Sequence, residues 1–200
     1  MSIERKVRLI ESLFSKLEQE TKQFEQSSGL SCVSGCGKCC AYPNVEASPL
    51  EFLPWAFHLF LNEQAEKTII LLDKTKSATC FIYKPLSNIN QGRCGNYKYR
   101  GLICRLFGFA ANTDKYGNLR FATCKIIKEG QADSYNSTAE AITKGLYVPI
   151  FTEYYMQLNQ IDHHLGNLIL PINKALKMAL EEVLHYYAYR PLYHLGKKCC

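Results

Sequence analysis

No long apolar run occurs anywhere in the chain, and that absence removes the simplest membrane readings. The longest apolar stretches, around Phe52 to Leu61 and Thr68 to Leu72, fall far short of the roughly 18 residues that a spanning helix needs. The opening residues, MSIERKVRLIESLFSKLEQE, break their apolar positions with charge every second or third residue, and no small-residue cleavage site follows. A cytoplasmic, soluble protein with no membrane partner is therefore expected. Also missing are G-x-x-x-x-G-K-[ST] and G-x-G-x-x-G, so nucleotide binding has no support. H-E-x-x-H is absent too, and His163, His164 and His185 are expected to be surface or core residues. Repeats and low-complexity linkers are lacking, while 47% hydrophobic and 21% charged residues are ordinary globular values. One domain over residues 1–200 is the expectation.

What is present in excess is cysteine, ten residues in 200. A chain of this length buries enough apolar surface to fold without disulfide staples, and cytoplasmic thiols stay reduced. The cysteines are therefore expected to bind metal or do chemistry. Eight of them, Cys32, Cys36, Cys39, Cys40, Cys80, Cys94, Cys104 and Cys124, lie between residues 32 and 124. The other two, Cys199 and Cys200, are read as a flexible end with two exposed thiols.

Helical periodicity brackets that region. Ile3, Val7, Ile10, Phe14, Leu17, Thr21 and Phe24 recur in steps of four and three, which predicts a helix over 3–26 packed on its own domain. Ser48-Pro49-Leu50-Glu51 reads as a helix start running towards Asp73. Tyr116-Gly117-Asn118 predicts a hairpin, with a strand at Leu119 to Thr123. Helix is expected again over 137–190, broken near Pro149 and Gly166, with a last segment from Pro171 to before Arg190-Pro191. The fold class is thus mainly α: helices bracketing a cysteine-rich irregular middle with at most a short β-hairpin.

Cys32-x3-Cys36-x2-Cys39-Cys40 places four thiols in nine residues of glycine-containing loop, where several sulfurs can converge on one ion. Cys39 and Cys40 are neighbours, so their side chains diverge by about 100° in a helix or about 180° in a strand. Either one is a spare, or the site holds more than one metal.

Cys36-Gly37-Lys38-Cys39-Cys40, followed by Cys94-x2-Tyr97-x2-Arg100-x3-Cys104-Arg105-x-Phe107, resembles the CxxCxxCC family of zinc- or iron-chelating proteins, which is characterised by eight cysteines. The resemblance runs from Cys32 to Cys124 and implies that those eight cysteines are metal ligands. This sequence departs from the family in separating Cys32 from Cys36 by three residues, and in placing Gly101 and Gly108 where proline is usual. Zinc, iron or an iron-sulfur cluster each suit all-thiolate ligation. Arg100 and Arg105 beside such a cluster would lower thiol pKa values and donate to sulfur, or bind an anionic substrate, or form ordinary ion pairs. The expected function is a cysteine-cluster metal protein with a structural, chelating or electron-transfer role. The alternative is a metal- or iron-sulfur-dependent enzyme acting on a protein or small molecule, related to flagellin lysine N-methylases, which carry a similar cysteine motif.

Charge fits the first reading. Counting 24 Lys and Arg against 18 Asp and Glu gives +6. Eight bound thiolates would add about eight negative charges and two divalent ions return about four positive ones, leaving roughly +2. Lys38, Lys98, Arg100, Arg105 and Lys125 all lie close to the expected ligands in sequence. Tyr97-Lys98-Tyr99-Arg100 mixes aromatic and basic residues, but one such stretch is a weak signal and nucleic acid is not the expected partner.

Overall fold

The computed structural model describes residues 1–33, 36–86 and 92–190. Cys199 and Cys200 lie outside the described residues. Ser2 starts the first helix, its hydroxyl accepting the Arg5 N–H at 3.3 Å, and α1 (Ile3–Ser28) stops at Gly29, where a φ of 67° suits glycine. The stripe foreseen in the sequence is the buried one, and it packs on the molecule's own helices.

A four-residue turn of helix, α2 (Lys38–Ala41), and a short strand, β1 (Glu46–Ala47), precede the next helical segment. Ser48 N–H donates to Glu51 Oε1 at 2.9 Å, and a 3-10 turn over Pro49–Phe52 leads into α3 (Leu53–Leu61). The helix expected to run on to Asp73 is interrupted. Asn62 turns its side-chain amide onto the His58 carbonyl at 2.7 Å, Glu63 takes a φ of 56°, and α4 (Ala65–Lys74) begins afresh.

The middle is largely irregular, with β2 (Tyr83–Pro85) paired to β3 (Gly92–Cys94), a 3-10 turn at Tyr97–Tyr99, and the five-residue α5 (Leu102–Leu106). The expected hairpin is β4 (Ala110–Thr113) with β5 (Leu119–Ala122), its turn closed by Asp114, whose Oδ1 accepts from Tyr116 and Asn118 N–H. Helices α6 (Lys125–Gly130), α7 (Ala132–Thr143), α8 (Phe151–Asn159) and α9 (His163–Asn167) follow. The helical return therefore starts earlier than residue 137. A strand β6 (Leu170–Pro171) pairs with β1, and α10 (Ile172–Tyr187) ends the described chain's regular structure.

The fold is mainly α. Its larger core is built from α1, α3, α5, α8 and α10, and a second apolar cluster gathers Phe24, Leu30, Phe109, Ala111, Ile127, Ile142 and Val148. Among the described residues no helix is long and apolar enough to cross a membrane.

Candidate metal centre

Two glycines bring the first cysteine loop onto the second. Gly37 has a φ of 55° at the start of α2, and a Cβ there would fall 2.1 Å from the Gly92 carbonyl oxygen. Gly92 is equally crowded: a Cβ on it would meet the Tyr83 ring at 2.2 Å. Only bare backbone permits this approach, and it sets α2 against β3. Cys39 and Cys40 on α2 are thereby brought against the strand that ends in Cys94.

These three sulfurs share protons unequally. The neighbouring Cys39 and Cys94 sulfurs, together with burial, push the Cys40 thiol up. Cys40 in turn draws Cys39 down to about 6, aided by backbone N–H groups and the Arg100 guanidinium. Cys94 is likewise drawn to about 6 by Cys40, the Asn96 N–H and Arg100. Burial pushes Cys80 up to about 11, and Cys94 and Cys39 add their negative field. Burial also raises Cys104, reinforced by Glu51, Cys80, Cys39 and Cys94.

A different neighbourhood surrounds the remaining thiols. Cys32 is raised by burial and then by Cys36, Cys39, Cys124 and Glu25. Cys124 caps α6, its sulfur accepting the Ile127 N–H at 3.4 Å. Cys80 packs against the larger core and Cys124 against the second cluster. Cys40, Cys80, Cys94 and Cys104 thus form one electrostatic neighbourhood and Cys32, Cys36 and Cys124 another, with Cys39 felt in both, and Cys80 and Cys124 stand on different apolar clusters.

Three side chains, two of them unremarked in the sequence, hold these segments. Asn173 at the start of α10 accepts the Phe81 N–H at 2.8 Å and donates to the Ser77 and Thr79 carbonyls at 3.1 and 2.9 Å, fixing the loop that carries Cys80. Gln131 mimics a strand partner for Ser31, donating to its carbonyl at 2.7 Å and accepting its N–H at 3.1 Å, which ties the Cys32 segment beside α6. Glu51, buried, accepts the Ile103 N–H at 2.8 Å and the Tyr155 hydroxyl at 3.2 Å, anchoring α5 and Cys104. An amide or carboxylate used this way has no periodic or spacing signal. Only the helix-capping part of Glu51 was visible.

The two arginines separate. Arg105 is buried, stacks on Phe14, and gives its N–H groups to the Arg100 and Lys98 carbonyls and to Glu18. It fastens the 98–100 turn to α1, and none of its hydrogen bonds goes to sulfur. Arg100 lies over the Tyr97 ring, 4.0 Å from its centroid, donates to the Tyr97 hydroxyl at 2.7 Å, and turns its field on Cys39 and Cys94. Its Nε has no hydrogen-bond partner among the described residues. Tyr97 is an exposed aromatic, 63% accessible, whose ring carries a guanidinium.

The two departures at glycine have separate reasons. Gly101 has an ordinary φ of −66°, but a Cβ there would press on Phe52 at 2.8 Å and Glu51 Oε2 at 2.9 Å. Gly108 needs its φ of 102°. His163, His164 and His185 are exposed.

Among the described residues, no three His, Cys, Asp or Glu side chains already stand in an arrangement able to hold an ion. All eight cysteines are free thiols. Their chemistry fits zinc or iron, and the sulfurs would have to draw together to ligate it. Residues 31–130, half of the chain, match the CxxCxxCC family, described as a "putative zinc- or iron-chelating domain". No curated protein and no solved structure matches the chain.

Proposed function

The chain belongs to the CxxCxxCC family of zinc- or iron-chelating domains, and from that premise we propose that its eight clustered cysteines form a paired metal centre. One group is Cys40, Cys80, Cys94 and Cys104, the other Cys32, Cys36 and Cys124, and Cys39 stands between them. The observation that carries this reading is the packing of α2, which bears Cys39 and Cys40, on β3, which ends in Cys94, across the Gly37–Gly92 contact. A paired centre answers the geometric problem of adjacent cysteines, since the diverging Cys39 and Cys40 need not serve the same ion.

Arg100 supports the centre from outside, offsetting thiolate charge near Cys39 and Cys94. Four thiolates around an ion leave no open position for a substrate, which favours a structural, chelating or electron-transfer role over catalysis. An iron-sulfur cluster would give the electron-transfer form and keep the enzyme alternative alive.

The test is anaerobic purification followed by metal and acid-labile sulfide analysis of the wild-type chain and of Cys39→Ser and Cys104→Ser. Bound zinc or iron that falls in both variants, with a lower melting temperature, is expected because ligation and folding are linked. Iron with sulfide would identify a cluster, and zinc without it a chelating site. Undiminished metal content and melting temperature in both variants would sink the proposal.

A further inference from the structure

The +6 charge is not spread over the chain. Residues 31–130 hold 13 Lys and Arg against 7 Asp and Glu, while the remaining residues hold 11 of each. From Lys74 to Lys128 there are 11 cations and one acid, Asp114, which already pairs with Arg120 at 3.1 Å. The most pointed case is on the hairpin that carries Cys94. Lys84 and Arg93 stand directly opposite each other in register, both exposed, on one face of the β2–β3 pair. Like charges in that position oppose strand pairing. Gly95 leaves room for the Lys84 stem, since a Cβ there would lie 2.8 Å from its Cε.

Lys38 on α2, which packs on β3, and Lys98 on the turn after Cys94 are exposed as well. None of these four cations has an ion-pair partner among the described residues, and the residues outside the description contain no Asp or Glu. Exposed lysines do little to stabilise thiolates through water, so an unpaired cationic rim has its effect outward.

We propose that the Lys84–Arg93 face, with Lys38 and Lys98 beside it, docks an acidic segment of a partner protein over the contact of α2 with β3, which carries Cys39, Cys40 and Cys94. A protein partner is favoured over single-stranded nucleic acid because the nearby rings are already engaged. Arg100 covers Tyr97, and Tyr99 stacks on His58 at 4.7 Å with Lys98 5.1 Å from its centroid. The contact would place a donor or acceptor of metal or electrons at the centre. That purpose rests on the metal-binding reading, whereas the docking itself does not.

The experiment uses the full chain as purified with its metal, and poly-L-glutamate as the acidic probe, with binding followed by fluorescence anisotropy at low salt and at about 0.2 M salt. Lys84→Glu with Arg93→Glu is compared with Lys67→Glu and Lys174→Glu, two exposed lysines on α4 and α10, so that net charge changes equally. The hairpin pair is expected to weaken binding about tenfold and the control pair less than about threefold, with metal content unchanged in both. The neutral pair Lys84→Gln and Arg93→Gln should give an intermediate loss and guards against misfolding caused by reversal. Equal losses in both reversal pairs would overturn the proposal, as would tighter binding to oligothymidylate than to poly-L-glutamate. A fall in metal content confined to the hairpin variants would also overturn it, by showing that the rim serves the centre. Absence of metal in the wild-type chain would count against the metal reading alone.

Discussion

At the scale of single residues, the cysteine segments are held by a few polar side chains that reach far along the chain. Asn173, Gln131 and Glu51 act through hydrogen bonds to backbone 92, 100 and 52 residues away in the chain. Nothing local marks them. Asn173 makes three such bonds to the Cys80 loop, and Asn173→Ala is expected to lower stability by about 2 to 4 kcal/mol, measured by denaturant unfolding. Gly37 is the converse. It looks like ordinary loop composition, and its need shows only when Gly92 is found against it.

At the scale of elements, helices with a long apolar stripe were legible. The stripe of α1 is buried except for the half-buried Thr21, and α10 forms where a last helical segment after Pro171 is expected. Short elements were not legible, because a four- or five-residue helix has no period and cannot persist on its own. α2 depends on the Gly37–Gly92 approach, and α5 on Glu51 and Arg105. The break after α3 was missed because Asn62-Glu63-Gln64 is polar without glycine or proline.

Caps also set how the elements respond to acid. Asp162 caps α9, accepting the Leu165 N–H at 3.0 Å, and pairs with Lys6 of α1 at 2.5 Å. Burial alone would raise its carboxyl. Lys6 and the backbone N–H groups outweigh that and hold it below its usual value. A depressed carboxyl contributes stability above its unfolded pKa of about 3.9 and loses it as pH falls through the lower folded value. Asp162→Ala should therefore cost about 1 to 2 kcal/mol at neutral pH. Thermal melts against pH should show the charge-dependent part of that difference vanishing in the acid range.

At the scale of the whole molecule, Cys80 and Cys124 rest on two different apolar clusters, and the entire charge excess lies between residues 31 and 130. Composition alone showed the excess but not its address. Once the address is known, the outward-facing part of the charge can be assigned to a contact, while Arg100 turns its field on Cys39 and Cys94.

The tethers of the cysteine segments have a consequence for how the chain can be divided. Glu18, Gln131 and Asn173 all lie beyond residues 31–130, and Gln131 misses that span by one position. The stretch recognisable by family is therefore not a unit that can be lifted out. It behaves as a clasp whose hinges belong to the surrounding helices. Expressed by itself, residues 31–130 should show neither cooperative unfolding nor the metal content of the full chain, a difference that calorimetry and metal analysis would register together. Evolution of ligand spacing in the clasp is then constrained by helices that contain no ligand at all.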